Sequence, residues 1–280
     1  MLWLEGRLHE GTAAPFDLAD RGLLLADGLF ETLLAVAGVP YCLDEHLARL
    51  EAGAAVLRLP VPLAEARRAI TALAEAATGP VVIRLTVTRG TGPRGLRPPA
   101  DPAPRLFATA APWSPETAFG PATLATSGIR RNAGSPLSRL KSLCYLDNVL
   151  ALDEAAGRGA DDALLLSTGG MVACTSMANL FALFGRTLLT PPAADGVLPG
   201  ITRALVLRLA AGAGLTAEER SLRPEALAQA DALFATNSVR LIAPVTALDG
   251  SALPRAAAVD ALGDALRRHL RETCGRDPFA

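Results

Sequence analysis

The spacing of apolar residues along the chain predicts strands and helices in mixed order. Residues 2–8 are predicted as a first strand, and an apolar run that ends at 38–40 indicates a hairpin. After Asp44, which we expect to be an N-cap, apolar residues recur at helical spacing, and a second helix is predicted over 63–77. The β-branched run 81–88 is typical of a buried strand.

Near the middle of the chain, prolines interrupt the regular spacing of apolar residues. They cluster on both sides of 106–111, which is predicted as one more strand. We therefore place an interdomain linker at 111–117. It divides the chain into a small N-terminal domain, residues 1–110, and a larger C-terminal domain, residues 118–280.

The second half again alternates strands and helices. The helix predicted after Lys141 carries one apolar face and stops at the glycines near 157–159. That face consists of Leu143, Leu146, Val149 and Leu150. The other predicted elements are strands at 122–130, 163–167, 171–184, 187–190 and 232–236, a helix that opens at 198–203, and a C-terminal helix over 256–273.

Composition narrows the class of protein. The chain is 50% apolar and 20% charged, its net charge is −1 and its arginines are scattered, so we expect neither nucleic acid nor a membrane as partner. Glu5 interrupts the first apolar residues, so no signal peptide is expected, and no apolar run approaches the ~18 residues of a spanning helix. The four cysteines form no CxxC pair, which predicts reduced thiols, no metal site and a cytoplasmic location.

Lys141 is the only lysine among the 27 lysine and arginine residues. Both residue types serve as surface cations, but only a lysine amine can be tuned to lose its proton and attack a carbon, as imine chemistry requires. A single retained amine therefore indicates a catalytic role. An arginine-rich composition that left one lysine by chance explains the count equally well, and composition alone leaves both interpretations open.

Two further stretches offer binding groups, each with an ordinary alternative. Residues 199–202 open a predicted helix, where free backbone N–H groups and a hydroxyl form an anion site, although every helix start offers such donors. Arg49 on the first helix has the guanidinium fork that clamps a phosphate. A lone helical arginine is more often a solvated surface charge.

A glycine-rich loop carries Arg89 and Arg94, whose guanidinium groups match a substrate carboxylate in geometry; a surface hairpin with solvated charges is the alternative. Asn237 and Ser238 follow a predicted strand and offer donors at its end. A single lysine, an anion-binding helix start and an arginine clamp are together the parts of a pyridoxal phosphate site. Such a site takes a small amino substrate that carries a carboxylate.

Eight segments occur in a fixed order: DRGLLLADGLFET (20–32), LDEHLARL (43–50), TRGTGPRG (88–95), RLKSLCYLDNVLALDEA (139–155), GADDALLL (159–166), GMV…NLF (170–181), LTPP…GVLPGITR (189–203) and ATNSV…PV (235–245). In order and spacing they resemble the class IV aminotransferase family, also called pyridoxal phosphate fold type IV. Members include branched-chain and D-amino acid aminotransferases and aminodeoxychorismate lyase. The match extends from Asp20 to about Asp249.

The resemblance implies a mixed fold, α+β or α/β, of two domains like that of D-amino acid aminotransferase. It also implies pyridoxal phosphate at the domain interface and a homodimer. By position, Lys141 is implied as the lysine that forms the imine with the cofactor and moves the proton. Arg94 falls where D-amino acid aminotransferases bind a carboxylate. Four residues fall where the family holds the cofactor phosphate: Arg49, Ile201, Thr202 and Ser238.

Within the family, two segments resemble aminodeoxychorismate lyase. The loop 89–95 is similar to the lyase pattern RGxGxRG, and Asn237 falls where the asparagine of the lyase contacts substrate. Aminotransferases tend to carry a glutamate at the place of Leu241. The implied reaction converts 4-amino-4-deoxychorismate to p-aminobenzoate and pyruvate, and the alternative is an aminotransferase of the D-amino acid or branched-chain type.

Three positions depart from the family pattern. Leu96 replaces an aromatic residue or histidine, and Ala26 replaces a glycine. Cys174 stands where the family has a glutamate that pairs with the pyridine nitrogen. A thiol supplies that negative charge only if its pKa falls below the usual ~8.5. We interpret Cys174 as favouring elimination over amino transfer; the rivals are a divergent or weakened enzyme and a non-catalytic cofactor-binding protein.

Overall fold

The computed structural model describes residues 1–279, and the chain divides into two compact units. Unit 1 comprises Met1–Ser114, Leu140–Cys144 and the residues from Leu270 onward, and unit 2 comprises Pro115–Arg139 and Tyr145–His269. The segment 140–144 lies in the sequence of the expected C-terminal domain but counts with unit 1, because its backbone pairs with a strand of that unit. The domain limits at 110 and 118 stay a prediction.

Unit 1 is built on one antiparallel sheet. Its strands are β1 (Leu2–Leu4), β2 (Arg7–His9), β3 (Gly28–Val36), β4 (Val39–Pro40), β5 (Val81–Thr88) and β6 (Arg105–Pro112). They are ordered β2-β1-β6-β5-β3-β4. The helices are α1 (Arg21–Leu25), α2 (Leu43–Leu57) and α3 (Leu63–Ala76).

The two faces of this sheet have different roles. Leu33 and Ile83 are cross-strand partners of β3 and β5, and both pack in the core with Ile70 of α3. Because side chains alternate along a strand, Phe30 and Arg84 lie on the opposite face. The helices therefore cover the face that carries Leu33 and Ile83, and Phe30 and Arg84 lie on the other face.

Unit 2 contains nine strands and three helices. The strands are β7 (Ala122–Arg131), β8 (Asp162–Ser167), β9 (Val172–Thr175), β10 (Asn179–Phe184), β11 (Thr187–Thr190), β12 (Thr216–Glu219), β13 (Ala232–Asn237), β14 (Leu241–Leu248) and β15 (Ser251–Ala252). The helices are α4 (Leu146–Gly157), α5 (Ile201–Leu209) and α6 (Ala257–Cys274), and the residues of α6 after His269 count with unit 1.

The sheet of unit 2 closes on itself. Its order is β12-β11-β10-β13-β14-β7-β8-β9, and β9 also pairs with β10 through Cys174 and Asn179. The six strands from β10 to β9 therefore form a complete circuit, which removes two unpaired edges. Phe181 and Phe234 are fully buried cross-strand partners of β10 and β13, and their rings stack with centroids 4.9 Å apart.

Several sequence-based boundaries were wrong. The N-cap of α2 is Cys42, which adopts a left-handed conformation, and Asp44 lies inside the first turn. The predicted strand 2–8 is a hairpin, because Glu5 and Gly6 both have positive φ and turn the chain. The predicted strand 171–184 is interrupted by a turn after Thr175, whose N–H donates to the carbonyl of Ala178. The strands β12, β14 and β15 were not predicted.

Within the part of the chain that the structure describes, no helix is both long and apolar enough to cross a bilayer. Among the same residues, no group of three or more histidine, cysteine or acidic side chains is arranged to hold a metal ion. All four cysteines are free thiols.

Candidate functional site

Lys141 lies in a short segment that pairs with the start of β3. The N–H of Phe30 donates to the carbonyl of Lys141 at 2.9 Å, and the N–H of Leu143 donates to the carbonyl of Gly28 at 3.0 Å. A Cβ on Gly28 would lie 2.5 Å from the backbone carbonyl oxygen of Val87, so only glycine permits this close approach. The pairing fixes Lys141 opposite Phe30 on the sheet.

Two cations lie against the aromatic ring of Phe30. The Nζ atom of Lys141 is 4.2 Å from the ring centroid, and the guanidinium carbon of Arg84 is 3.8 Å from it. Both distances are within the ~6 Å over which an aromatic ring attracts a cation. The ring therefore keeps an amine and a guanidinium close together, which suits a substrate whose reactive group lies next to an anion.

The amine of Lys141 is shifted towards its neutral form. Burial is the main cause that lowers the pKa of Lys141, to about 8, because desolvation disfavours the charged amine. Repulsion by Arg49 and Arg84 lowers the pKa further, whereas Glu31 opposes the shift. A neutral amine is the nucleophile that attacks an aldehyde carbon, so the surroundings of Lys141 favour its nucleophilic form.

Arg49 is held by a buried carboxylate on the helix-covered face. Glu31 accepts hydrogen bonds from the Nε and Nη2 atoms of Arg49 at 2.9 and 2.6 Å and contacts Nδ1 of His46 at 2.6 Å. Burial disfavours the ionised carboxylate, but Arg49 and His46 outweigh it and lower the pKa of Glu31 to about 2. Glu31 therefore stays charged and fixes the guanidinium of Arg49 in one orientation.

The two loop arginines have different surroundings. Arg89 is buried, and it donates to Asp27 and to the carbonyls of Leu57 and Arg58 at the end of α2. These contacts support a structural role, and the predicted contact of Arg89 with a substrate stays a prediction. Arg94 is exposed, and no hydrogen bond or ion pair joins it to any residue among 1–279.

Cys174 lies in the closed sheet of unit 2 and is buried. Burial raises the pKa of its thiol to about 11; Arg131 opposes the shift, and Asp162 adds to it. The thiol is therefore neutral at physiological pH. Arg131 donates to the Oδ1 atom of Asn148 at 3.2 Å. Its positive charge lowers the pKa of the thiol, but not enough to ionise Cys174.

Asn179 connects Cys174 to the start of α5. It faces Cys174 and Thr236 across its two neighbouring strands, and its Nδ2 atom donates to the carbonyl of Leu198 at 2.9 Å. A Cβ on Gly200 would lie 2.0 Å from its Oδ1 atom, so the N-cap position of α5 accepts only glycine. Asn179 thereby sets where the helix begins.

The start of α5 has the properties of an anion site. Ile201 and Thr202 form its first turn, where backbone N–H groups have no carbonyl within the helix to bond. The hydroxyl of Thr236 is buried and has no hydrogen-bond partner among the described residues. Because cross-strand partners project to the same face, Thr236 lies on the face on which Asn179 contacts Gly200.

Asn237 and Ser238 lie in the turn between β13 and β14. The Oδ1 atom of Asn237 accepts from the N–H groups of Val239 and Arg240 at 3.0 and 2.7 Å, and its Nδ2 atom is 3.4 Å from the carbonyl of Met177. Asn237 therefore shapes the turn that places Ser238. Its predicted contact with substrate, like the predicted roles of Arg49, Ile201, Thr202 and Ser238, stays a prediction.

Comparison with known proteins decides the family. Residues 28–248 match the family model described as amino-transferase class IV. The chain belongs to the class IV aminotransferase family.

Its relatives include both aminotransferases and lyases. A Methanocaldococcus jannaschii protein named for branched-chain-amino-acid aminotransferase activity is 35% identical and is matched over 89% of this chain and 88% of its own length. Aminodeoxychorismate lyase of Bacillus subtilis is 29% identical over 89% of this chain and 87% of its own. The crystal structure of 4-amino-4-deoxychorismate lyase from Pseudomonas aeruginosa has a TM-score of 0.85 and 35% identity, covering 96% and 98% of the two chains.

The family and the type IV fold expected from the eight sequence segments are confirmed by these matches. The protein is an enzyme of the class IV aminotransferase type, whose cofactor is pyridoxal phosphate. The residues of the chain fit this cofactor. Within unit 1, the amine of Lys141 has a lowered pKa, which suits an aldehyde. Within unit 2, the first turn of α5 has backbone N–H groups without acceptors in the helix, which suit a phosphate.

Sequence reasoning missed five residues of these surroundings: Phe30, Glu31, His46, Arg84 and Asn179. A signal was present for two of them. Glu31 is an acidic residue within the apolar run of β3, and Arg84 is a cation within the β-branched run of β5. A charged residue in a strand that is otherwise buried is costly unless it is paired or functional, and that cost marks such positions.

Proposed function

We propose that this enzyme is a pyridoxal phosphate-dependent lyase that converts 4-amino-4-deoxychorismate to p-aminobenzoate and pyruvate. The observation that carries the proposal is the buried, neutral thiol of Cys174. When bound, the cofactor withdraws electrons from the carbon next to the substrate nitrogen. A neutral neighbour weakens that withdrawal, which harms amino transfer more than a reaction in which a leaving group carries the electrons away.

Each residue has a role in this proposal. Lys141 binds the cofactor aldehyde and, once released, takes the proton from the amine-bearing carbon. Arg94 binds a substrate carboxylate, with Arg89 and Asn237 as the other candidate contacts. The cofactor phosphate is held by Arg49, Ile201, Thr202 and Ser238. Glu31 supports this assignment for Arg49, because it fixes the orientation of the guanidinium.

The second candidate is amino transfer with D- or branched-chain amino acids. It is favoured by the similarity to the Methanocaldococcus jannaschii protein. It is also consistent with Arg84, which lies with Lys141 on the Phe30 ring and offers a second guanidinium for a carboxylate. The neutral thiol is the feature that argues against it.

We also propose that the protein is a homodimer. Leu24 of α1 in unit 1 is 62% exposed, and Leu146 of α4 in unit 2 is 70% exposed. Val149 and Leu150 continue the exposed apolar face of α4. Exposed apolar faces of this kind are typical of protein interfaces. Light scattering on the purified protein measures the mass of the assembly directly. The cytoplasmic location of the protein stays a separate prediction.

One experiment separates the two reactions. The purified protein is given 4-amino-4-deoxychorismate, and the fluorescence of p-aminobenzoate and the formation of pyruvate are followed. In parallel it is given D-alanine and 2-oxoglutarate, and conversion of the cofactor to its amine form is followed in the near ultraviolet. The proposal requires equal amounts of p-aminobenzoate and pyruvate. Rapid amino transfer with no p-aminobenzoate would establish the second candidate instead.

A further inference from the structure

Arg21 holds the loop 91–97 by its backbone. Its Nη1 atom donates to the carbonyl of Gly95 at 3.0 Å and contacts that of Arg97 at 3.5 Å, and its Nη2 atom donates to the carbonyl of Leu96 at 3.0 Å. Arg21 is only 4% exposed, although the loop residues that it holds are exposed. One buried guanidinium thus contacts three consecutive carbonyls, a geometry that the single ammonium of a lysine does not reproduce.

Asp27 connects this contact to the rest of unit 1. Its Oδ2 atom accepts from the Nε atoms of Arg21 and Arg89 at 2.9 and 2.8 Å. Burial opposes the charge of Asp27, but its bonds to Arg89 and Arg21 keep the pKa of this carboxyl below its usual value. Arg89 in turn donates to the carbonyls of Leu57 and Arg58 at the end of α2.

The loop has few other attachments near its tip. The N–H of Arg21 donates to the carbonyl of Gly90 at 2.9 Å, which fixes the first part of the loop. From position 93 to position 97 every residue is exposed, and Leu96 is 82% exposed. The carbonyls of Gly95 and Leu96 next to Arg94 are held by Arg21, so the position of Arg94 depends on that contact.

We propose that Arg21 and Asp27 are positioning residues for the substrate, which act by holding the loop that carries Arg94. The inference rests on the proposed function, in which Arg94 contacts the substrate carboxylate. Without the Arg21 contact the loop opens, and Arg94 samples many positions, so binding of a carboxylate-bearing amine carries an added entropy cost. Binding of the cofactor and the reactivity of Lys141 are not affected.

Trypsin cleavage of the loop tests the contact without requiring turnover. The Arg94–Gly95 bond is the accessible site, because Arg97 is followed by proline and Arg89 is buried. Arg21→Lys is compared with wild type and with Arg68→Lys, a change at an exposed arginine of α3. We expect cleavage after Arg94 to be on the order of tenfold faster in Arg21→Lys and unchanged in the control.

Kinetics of the cofactor-loaded protein test the consequence. In Arg21→Lys the KM for the carboxylate-bearing amine is expected to rise about tenfold while kcat stays within about twofold, with the cofactor absorption spectrum unchanged. Asp27→Asn keeps the side-chain shape but removes the negative charge that Arg21 and Arg89 share. It is expected to raise both the rate of cleavage after Arg94 and the KM. It carries the test if Arg21→Lys does not fold.

Two results would overturn the inference. Unchanged cleavage in both variants means that Arg21 does not hold the loop. Faster cleavage with an unchanged KM means that the loop does not position the substrate. A wild-type protein that binds no pyridoxal phosphate would contradict the proposed function instead, and the cleavage assay would still decide whether Arg21 holds the loop.

Discussion

Lys141 in unit 1 is half-buried and Cys174 in unit 2 is buried, and the charges near them differ. Three charged residues act on Lys141: Arg49, Glu31 and Arg84. Cys174 has Arg131 and Asp162, whose effects oppose each other. Burial is the largest effect at both positions, and it lowers the pKa of the amine and raises that of the thiol.

The difference shows how one physical cause gives two chemical outcomes. Desolvation favours the neutral form of either group. For Lys141 the neutral form is the nucleophile, so burial activates it. For Cys174 the neutral form lacks the negative charge that a carboxylate would have at this position, so burial removes that charge. Changes at these positions and at their neighbours therefore test the comparison directly.

The largest effect is expected from Lys141→Arg. A guanidinium keeps the positive charge next to Phe30 but does not lose its proton under ordinary conditions. We expect turnover to fall by at least about a thousandfold, since both nucleophile and proton carrier are removed. After incubation with pyridoxal phosphate, the variant should lack the absorption band of the imine between protein and cofactor. Retained turnover would contradict the role of Lys141.

Removing the carboxylate of Glu31 is expected to affect stability. Glu31→Gln leaves the charge of Arg49 and the buried ring nitrogen of His46 without their carboxylate partner, which should lower the free energy of unfolding by ~3–5 kcal/mol. The matched control is Asp44→Asn, which breaks the exposed pair with Arg67 and should cost less than ~1 kcal/mol. Urea unfolding measures both, and equal losses would show that Glu31 is not specially important.

The same carboxylate predicts a dependence on pH. Its pKa falls from 4.5 to about 2 on folding, so its contribution is complete above the higher value and is lost as the pH falls towards the lower one. Wild type should therefore lose more stability than Glu31→Gln between these two pH values. Parallel curves for the two proteins would mean that another group controls the acid transition.

An intermediate effect is expected from Cys174→Glu, which supplies the charge that the thiol lacks. We expect elimination to become faster, on the order of tenfold or more, and amino transfer to keto acids to gain at least as much, because the missing charge limits amino transfer more. A pH titration of the cofactor absorbance should shift as well, because a carboxylate stabilises a protonated pyridine nitrogen. Cys174→Ser, which stays neutral, is the control. Brisk amino transfer by the wild type would defeat our interpretation of Cys174.

The smallest effect is expected from Arg84→Gln. Removing this cation relieves repulsion at Lys141 and should raise the pKa of the amine above about 8. The neutral fraction near pH 7 then falls, by up to about tenfold for a shift of one pKa unit. The rate at which the apoprotein forms its imine with pyridoxal phosphate, measured against pH, reports the change. Arg68→Gln should leave the profile where it is.

The spacing of apolar residues predicted the positions of some helices and strands correctly. It was less successful in predicting which face of an element is buried. The strand at 81–88 was predicted with its observed bounds, because its β-branched run has no competing pattern. The helix α4 was also predicted, but its apolar face is the exposed one. Leu146, Val149 and Leu150 face outward, while Asn148 and Ala151 are buried. A pattern of residues cannot show which neighbour, if any, covers a face.

The sequence by itself determined the family and the type IV fold, and it predicted a catalytic role for Lys141. These depend on the order and spacing of motifs, which are properties of a linear chain. Tertiary structure alone decided that Glu31 and Arg84 lie on opposite faces of one sheet and both act on the same amine. It also decided that the thiol of Cys174 is neutral. The reason is physical: a pKa depends on burial and on charges that meet only when distant segments pack together.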